Sequence, residues 1–299
     1  YGPSDSRIPD RVQDAVYRIV DMQLPDGSFG MWGPWTPAAE WLQAYALDFL
    51  LRARDQQMAV PAAPLQRALT WLNRSADKFT PNAQAYAWYV LARAGLADPG
   101  RVRYFQDKDG TQISDGLAWA QLAAALNHVA EPGRARLAFA KARDMADAVD
   151  RRDYYGSALR NRAALLALAA EAGGREGFTQ VAAIVGEKLA ANVNQTTTQE
   201  QAWLVLAARA MAGAGGDLAY SLDGERKTSS RDPVTINPDA AAIARGVRLR
   251  NEGDGAVWLQ VTARGVPREA LPATTQGISV QREYLTLSGR PAGQRQVLA

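Results

Sequence analysis

The sequence predicts a mainly α protein: an incomplete α/α toroid with about five of six inner/outer helix pairs, followed by an all-β sandwich-like module. Three observations predict it. Apolar, alanine-rich segments recur at a spacing of roughly 33 to 45 residues. More polar segments with one apolar stripe alternate with them, and past about Gly213 the apolar period drops from helical to two.

The inner helices are predicted to start near Glu40, Asn82, Asp115, Gly156 and Thr197. Small residues nearly all round, as in the run from Ala163 to Ala170, mark helices that are buried on most sides. The outer helices are read as Arg11 to Met22, Pro64 to Asn73, Pro99 to Phe105, Arg134 to Val149 and Glu176 to Ala190. Leu65, Leu69 and Leu72 show the i, i+4, i+7 stripe of a half-buried surface helix. Ser, Thr, Asp and Pro at the starts, with Gly95, Gly173-Gly174 and Gly213 near the ends, supply start and stop signals.

A closed toroid of this type has six inner helices, and the first helix read here is an outer one. A sixth inner helix is therefore expected from residues outside this sequence. Leaving it out would expose four or five large side chains, each worth about 1.5 to 3 kcal/mol when buried. That total of about 6 to 15 kcal/mol matches the stability of an ordinary domain, so the chain is expected to be a piece of a longer polypeptide.

The β part is read from four segments: Leu218 to Leu222, Val247 to Arg250, Val257 to Thr262 and Ile278 to Leu285. Asn251 to Gly255 would connect the second to the third as a hairpin.

Composition excludes much chemistry. Cysteine is absent and His128 is the only histidine, which removes Cys or His zinc sites, thiol nucleophiles and histidine triads. The +3 charge comes from dispersed residues, with Arg134, Arg136, Lys141 and Arg143 offset by Glu131, Asp144 and Asp147. No one-signed face results, so no nucleic-acid partner is expected. No apolar run approaches the roughly 20 residues that cross a bilayer, and Tyr1 to Ser6 lacks the features of a signal peptide. The chain reads as a mature soluble piece.

The stretch from Met22 to Trp32 combines a helix end at Pro25, a turn at Asp26-Gly27 and the aromatics Phe29 and Trp32, both expected to pin the loop to the ring. It resembles the Q-x-x-D-G-S-F loop shared by terpenoid cyclases, prenyltransferases and thioester domains of the complement and α2-macroglobulin family. Further landmarks are Trp41 to Leu50, Ala85 to Gly95, Asp153 to Arg160, Thr197 to Glu200 and Val280 to Tyr284. Taken in order from about residue 10, this set resembles a bacterial α2-macroglobulin from the latter part of its thioester domain onward.

That resemblance implies a broad protease trap, in which a cut bait region triggers collapse and an internal thioester captures the attacker. The bond joins Cys and Gln of a C-x-E-Q motif at the start of an inner helix. No such motif occurs here, and Gln199-Glu200 lacks the Cys. The thioester is thus upstream or lost. By the same resemblance, residues 1–213 are an N-terminally incomplete thioester-type toroid. Residues 214–272 are the second half of a CUB-like β-domain, and residues 273–299 open a C-terminal macroglobulin-like β-domain. The implied partners are proteases, in the full-length protein, and other domains of the same polypeptide. The implied location is the periplasm, with membrane attachment only through an upstream lipoprotein-type anchor.

Two other functions stand beside the trap: an interaction or scaffold module of a thioester-less macroglobulin, and a terpenoid-cyclase-like enzyme. The enzyme reading lacks an aspartate-rich D-D-x-x-D run and zinc ligands, and Trp41, Tyr45, Tyr86, Trp88 and Trp119 read as core packing. His128 reads as a surface or cap residue, although a helix C-terminus would favour its charged form. Some vertebrate thioester proteins place a histidine where this chain has Lys78-Phe79-Thr80-Pro81; its lack implies direct attack by amines on any thioester. Asp107, Asp109 and Asp115 alternate as in calcium loops, but Gly110 is misplaced and Ala118 stands where a Glu is needed, so they read as a capping turn. Asp48 and Glu200 are expected in ion pairs with Arg93 or Arg160. No residue is read as catalytic, cofactor-binding or metal-ligating, no cofactor is implied, and the chain is read as not an enzyme.

Overall fold

The computed structural model describes residues 6–37, 39–149, 155–173, 178–192, 195–214, 217–229, 234–253, 257, 259, 261, 281 and 283–292. In chain order its helices begin with α1 (Ile8–Asp21), α2 (Glu40–Asp55), α3 (Ala62–Ser75), α4 (Pro81–Arg93) and α5 (Pro99–Asp109). They continue with α6 (Gly116–His128), α7 (Pro132–Asp144), α8 (Ala158–Glu171), α9 (Phe178–Asn192) and α10 (Thr198–Ala214).

Even-numbered helices pack on one another in the order α2, α4, α6, α8, α10, and odd-numbered helices cover them from outside. The five inner and five outer helices are those that the apolar pattern predicts. α4 shows why an all-round apolar surface becomes an inner helix: every residue from Ala83 to Ala92 is buried. Outer α5 buries only Val102 and Phe105. Alanines make the close packing possible, with Ala120, Ala123 and Ala125 of α6 and Ala163, Ala164 and Ala167 of α8 fully enclosed.

Local signals set the helix ends. Asp98, Asp115 and Ser157 accept backbone N–H groups as N-caps of α5, α6 and α8. Thr197 and Glu200 form a reciprocal capping box at α10, with Thr197 N–H donating to Glu200 at 2.7 Å and Glu200 N–H donating to Thr197 at 3.2 Å. Gly95 takes φ +72° after α4, where Leu96 N–H donates to the Leu91 carbonyl in a Schellman closure. Ala130 occupies the equivalent position after α6 at φ +60°, a conformation that costs a residue with a Cβ. Gly213 is the penultimate residue of α10, near its end as expected.

Among the described residues, three strands follow: β1 (Leu218–Leu222), β2 (Glu225–Ser229) and β3 (Leu249–Asn251), all antiparallel in the order β2-β1-β3. A short helix α11 (Ala240–Arg245), capped by Asp239, precedes β3. The first two predicted strands are found as β1 and β3, and they pair with each other. β2 and α11 were not read from the sequence, although Asp223 at φ +50° and Gly224 at φ +91° form the Asp-Gly hairpin turn that signals a second strand. Residues 257, 259 and 261 carry no strand. The rest of the third predicted segment, residues 254–255 of its connection and half of the fourth lie outside the described residues; the described half of the fourth carries only an isolated bridge at Leu285.

By contact density, residues 1–256 form one compact unit and residues 257–299 a second. In the second unit a tight hairpin joins Leu285 to Pro291, closed through Thr286 and Gly289.

Candidate functional site

The ring offers three places where function could reside: the loop before α2, the end where the inner helices begin, and the end where they finish. In the loop, Leu24-Pro25-Asp26-Gly27 makes a β-turn closed by Gly27 N–H on the Leu24 carbonyl at 3.0 Å. Gly27 takes φ +100°, and a Cβ there would sit 2.7 Å from the Arg67 carbonyl oxygen, so only glycine fits. Asp26 accepts from Ser28 N–H, Ser28 Oγ and Trp71 Nε1. Burial works against its charge, but these donors hold its carboxyl below the usual range.

Phe29 is the anchor of the loop. It is buried, and the Gln43 amide of α2 exchanges two 2.8 Å hydrogen bonds with its backbone. Trp32 does not pin the loop: it is 75% exposed, and Trp35 is 74% exposed. The loop is instead held by Phe29 through the Gln43 amide of α2.

At the end where inner helices begin, each neighbouring pair is tied by one polar link. Glu40 of α2 accepts from Thr80 N–H and Oγ1 at 2.7 and 2.8 Å, capping α4. Asn82 of α4 exchanges two bonds with Ser114, just before α6. Arg160 of α8 donates to Asp115, the cap of α6, at 2.8 Å with both side chains nearly enclosed. Ser157, the cap of α8, donates to Glu200 of α10 at 2.6 Å.

At the opposite end the helices converge on a charged cluster. Arg52 of α2 meets Asp48 at 3.0 Å, Glu171 of α8 at 2.8 Å and the Tyr89 hydroxyl of α4 at 2.8 Å. Arg93 of α4 pairs with Asp55 at 2.6 Å, and Tyr89 donates to Glu171 at 2.9 Å. Tyr86 donates to Asp48 at 3.1 Å. Burial opposes the Arg52 charge, yet Asp48, Tyr89 and Glu171 outweigh it and raise its pKa. Burial pushes the Tyr86 and Tyr89 phenols up, so both stay protonated donors.

The ion pairs differ from those expected. Asp48 takes Arg52 rather than Arg93, and Glu200 takes Ser157 and Thr197 rather than Arg160. Partner choice follows reach: Arg52 lies one turn from Asp48, whereas Arg160 is held by Asp115. His128 lies exposed at the end of α6 with its ring 6.1 Å from that of Tyr89. Its pKa is lowered, first by partial burial and then by Arg93, so these outweigh the helix C-terminus that would have favoured its charge. The calcium-like carboxylates are engaged elsewhere, Asp107 with Arg134, Asp109 with Gln112, and Asp115 with α6 and Arg160. Tyr86 and Trp88 are core; Trp41 is 36% exposed and touches Tyr45 and Tyr155.

The outer flanks of the series are thinly covered. On α2, Trp41, Tyr45 and Phe49 form a stripe that is not fully buried. On α10, Gln201, Val205 and Ala208 are exposed, Val205 at 61%. α1 has an apolar stripe through Val12, Val16, Ile19 and Val20 but buries only Val16.

This arrangement defines the protein class: an α/α toroid carrying a loop of the thioester-domain type. Residues 4–79 match the family model described as A-macroglobulin TED domain. Alpha-2-macroglobulin of Xylella fastidiosa (strain Temecula1) is 30% identical over 94% of this chain and 19% of its own length. The crystal structure of Salmonella alpha-2-macroglobulin reacted with methylamine matches 85% of this chain and 17% of its own, at a TM-score of 0.66 and 30% identity. Escherichia coli alpha-2-macroglobulin activated by porcine elastase matches 84% of this chain and 24% of its own, at 0.64 and 26%. The chain is thus related over nearly all its length to bacterial alpha-2-macroglobulins, and it spans about a fifth of their length.

Proposed function

We propose that this chain serves as the toroid-bearing part of a bacterial protease-inhibiting macroglobulin, non-enzymatic and located in the periplasm. The observation that carries the reading is the pair of thinly covered flanks, α2 with Trp41 and half-buried Tyr45 and Phe49, and α10 with Val205, on a ring related to that of the macroglobulins. In this reading a sixth inner helix packs on these two flanks and holds the C-x-E-Q thioester, beside the point where Arg209 of α10 already reaches Gln56 at the end of α2. Residues 1–213 are then the thioester-type toroid, 214–272 the second half of a CUB-like domain and 273–299 the start of a macroglobulin-like domain. Among the described residues, a three-stranded antiparallel sheet after the toroid supports a β-domain in this part of the chain.

The test is incubation of the intact protein with elastase or trypsin, followed by denaturing electrophoresis. A covalent protease adduct that prior methylamine treatment abolishes supports the trap. Protease-triggered compaction without any adduct would instead establish the thioester-less scaffold reading. Periplasmic fractionation of the source cell checks location. The cyclase-like reading is disfavoured by the ring's charged end, where Asp48 is committed to Arg52 and Tyr86 and so is not poised toward a substrate.

A further inference from the structure

α2 and α8 are not neighbours in the inner series; α4 and α6 stand between them. Yet Arg52 of α2 reaches Glu171 of α8 at 2.8 Å, and four inner helices send side chains to the same place: Arg52, Tyr89, His128 and Glu171. Groups from non-adjacent inner helices meet here across the ring, at the end where the helices finish. Glu171 is the last residue of α8, where the helix dipole disfavours a carboxylate, and the last turn of α8 contains no basic residue. Its pKa is nevertheless lowered: burial opposes the charge, and Arg52, Tyr89 and Arg93 overcome both effects. The cations that neutralise the end of α8 therefore come from α2 and α4.

We propose that Arg52 and Glu171 form a strut across the ring that holds α2 and α8 in fixed register from their C-terminal ends. The strut braces the toroid independently of neighbour-to-neighbour packing, so its shape does not require every flank to be covered. This inference stands apart from the protease-trap reading, since it concerns only the mechanics of the ring.

Hydrogen exchange followed by mass spectrometry tests it, comparing the purified protein with Glu171→Gln and Arg52→Lys. In Glu171→Gln, amides in the last turn of α2 should exchange about tenfold faster, the factor corresponding to about 1.4 kcal/mol of lost coupling. Amides of α10 should not change, although α10 packs directly on α8. Arg52→Lys keeps the charge but loses the planar fork, and should give the same pattern at smaller amplitude. If Glu171→Gln does not fold, the lysine variant decides alone. Acceleration confined to α8 and α10, or no acceleration in α2, would overturn the strut.

Discussion

The two ends of the ring are built on opposite plans. Where inner helices begin, Glu40, Asn82, Asp115 and Ser157 each tie a helix to the next one in the series. Where they finish, Arg52 and Glu171 skip two helices and bond across the ring. The first plan follows the order of the chain and caps helices in passing. The second cannot arise until α2 and α8 have been brought face to face by the helices between them.

Asp115→Ala should have the largest effect, because it removes both the N-cap of α6 and a 2.8 Å ion pair with Arg160, itself 4% exposed. Loss of about 3 to 5 kcal/mol is expected, read by chemical denaturation. A loss as small as that of a surface pair would show that the rim links are decorative and would collapse the contrast between the ends. Gln43→Ala removes both bonds to Phe29 and should cost about 1 to 3 kcal/mol, with faster proteolysis between residues 22 and 37 as the second readout.

Acid should probe the end where the inner helices finish by a different route. The folded-state pKa of His128 lies below its ordinary 6.5, so its contribution is present at neutral pH and is lost as pH falls below 6.5. Glu171 lies below its ordinary 4.5, so its contribution is lost at still lower pH, as the medium passes through the folded-state value. Stability measured from about pH 7.5 to 2 should therefore decline first through His128, and His128→Gln should remove that early decline while leaving the later carboxylate step, which Glu171 shares with Asp26, Asp107 and Asp147. An unchanged profile in that variant would remove His128 from the account.

Ser157→Ala should cost about 1 kcal/mol, a cap's worth, measured by thermal unfolding. Ala130→Gly should be the smallest change and of opposite sign. It relieves a left-handed alanine after α6 and should stabilise by about 0.5 to 1 kcal/mol, sharpening the ring's C-terminal end.

Much of the architecture was legible because helix burial is written in local period. All five inner and all five outer helices were placed from apolar spacing, and the turn at Asp26-Gly27 from residues whose backbone preferences are intrinsic. β2 was missed although its Asp223-Gly224 turn is a strong signal, because Glu225-Arg226-Lys227-Thr228-Ser229 has no apolar alternation to announce a strand. Its pairing with β1 supplies what its side chains do not. The candidate site was legible in part: Phe29 was rightly read as an anchor, whereas Trp32 is exposed and the Gln43 amide of α2 holds the loop through Phe29 instead.

The sequence by itself determined which segments are helices, which of them lie inside, and where most of them start and stop, since period, caps and turns act over a few residues. Only the tertiary structure decided that Arg52 meets Glu171, 119 positions away, and that Asp115 rather than Glu200 receives Arg160. Charged side chains are chemically interchangeable partners at the level of sequence. Distance chooses among them, and distance exists only once the ring has folded.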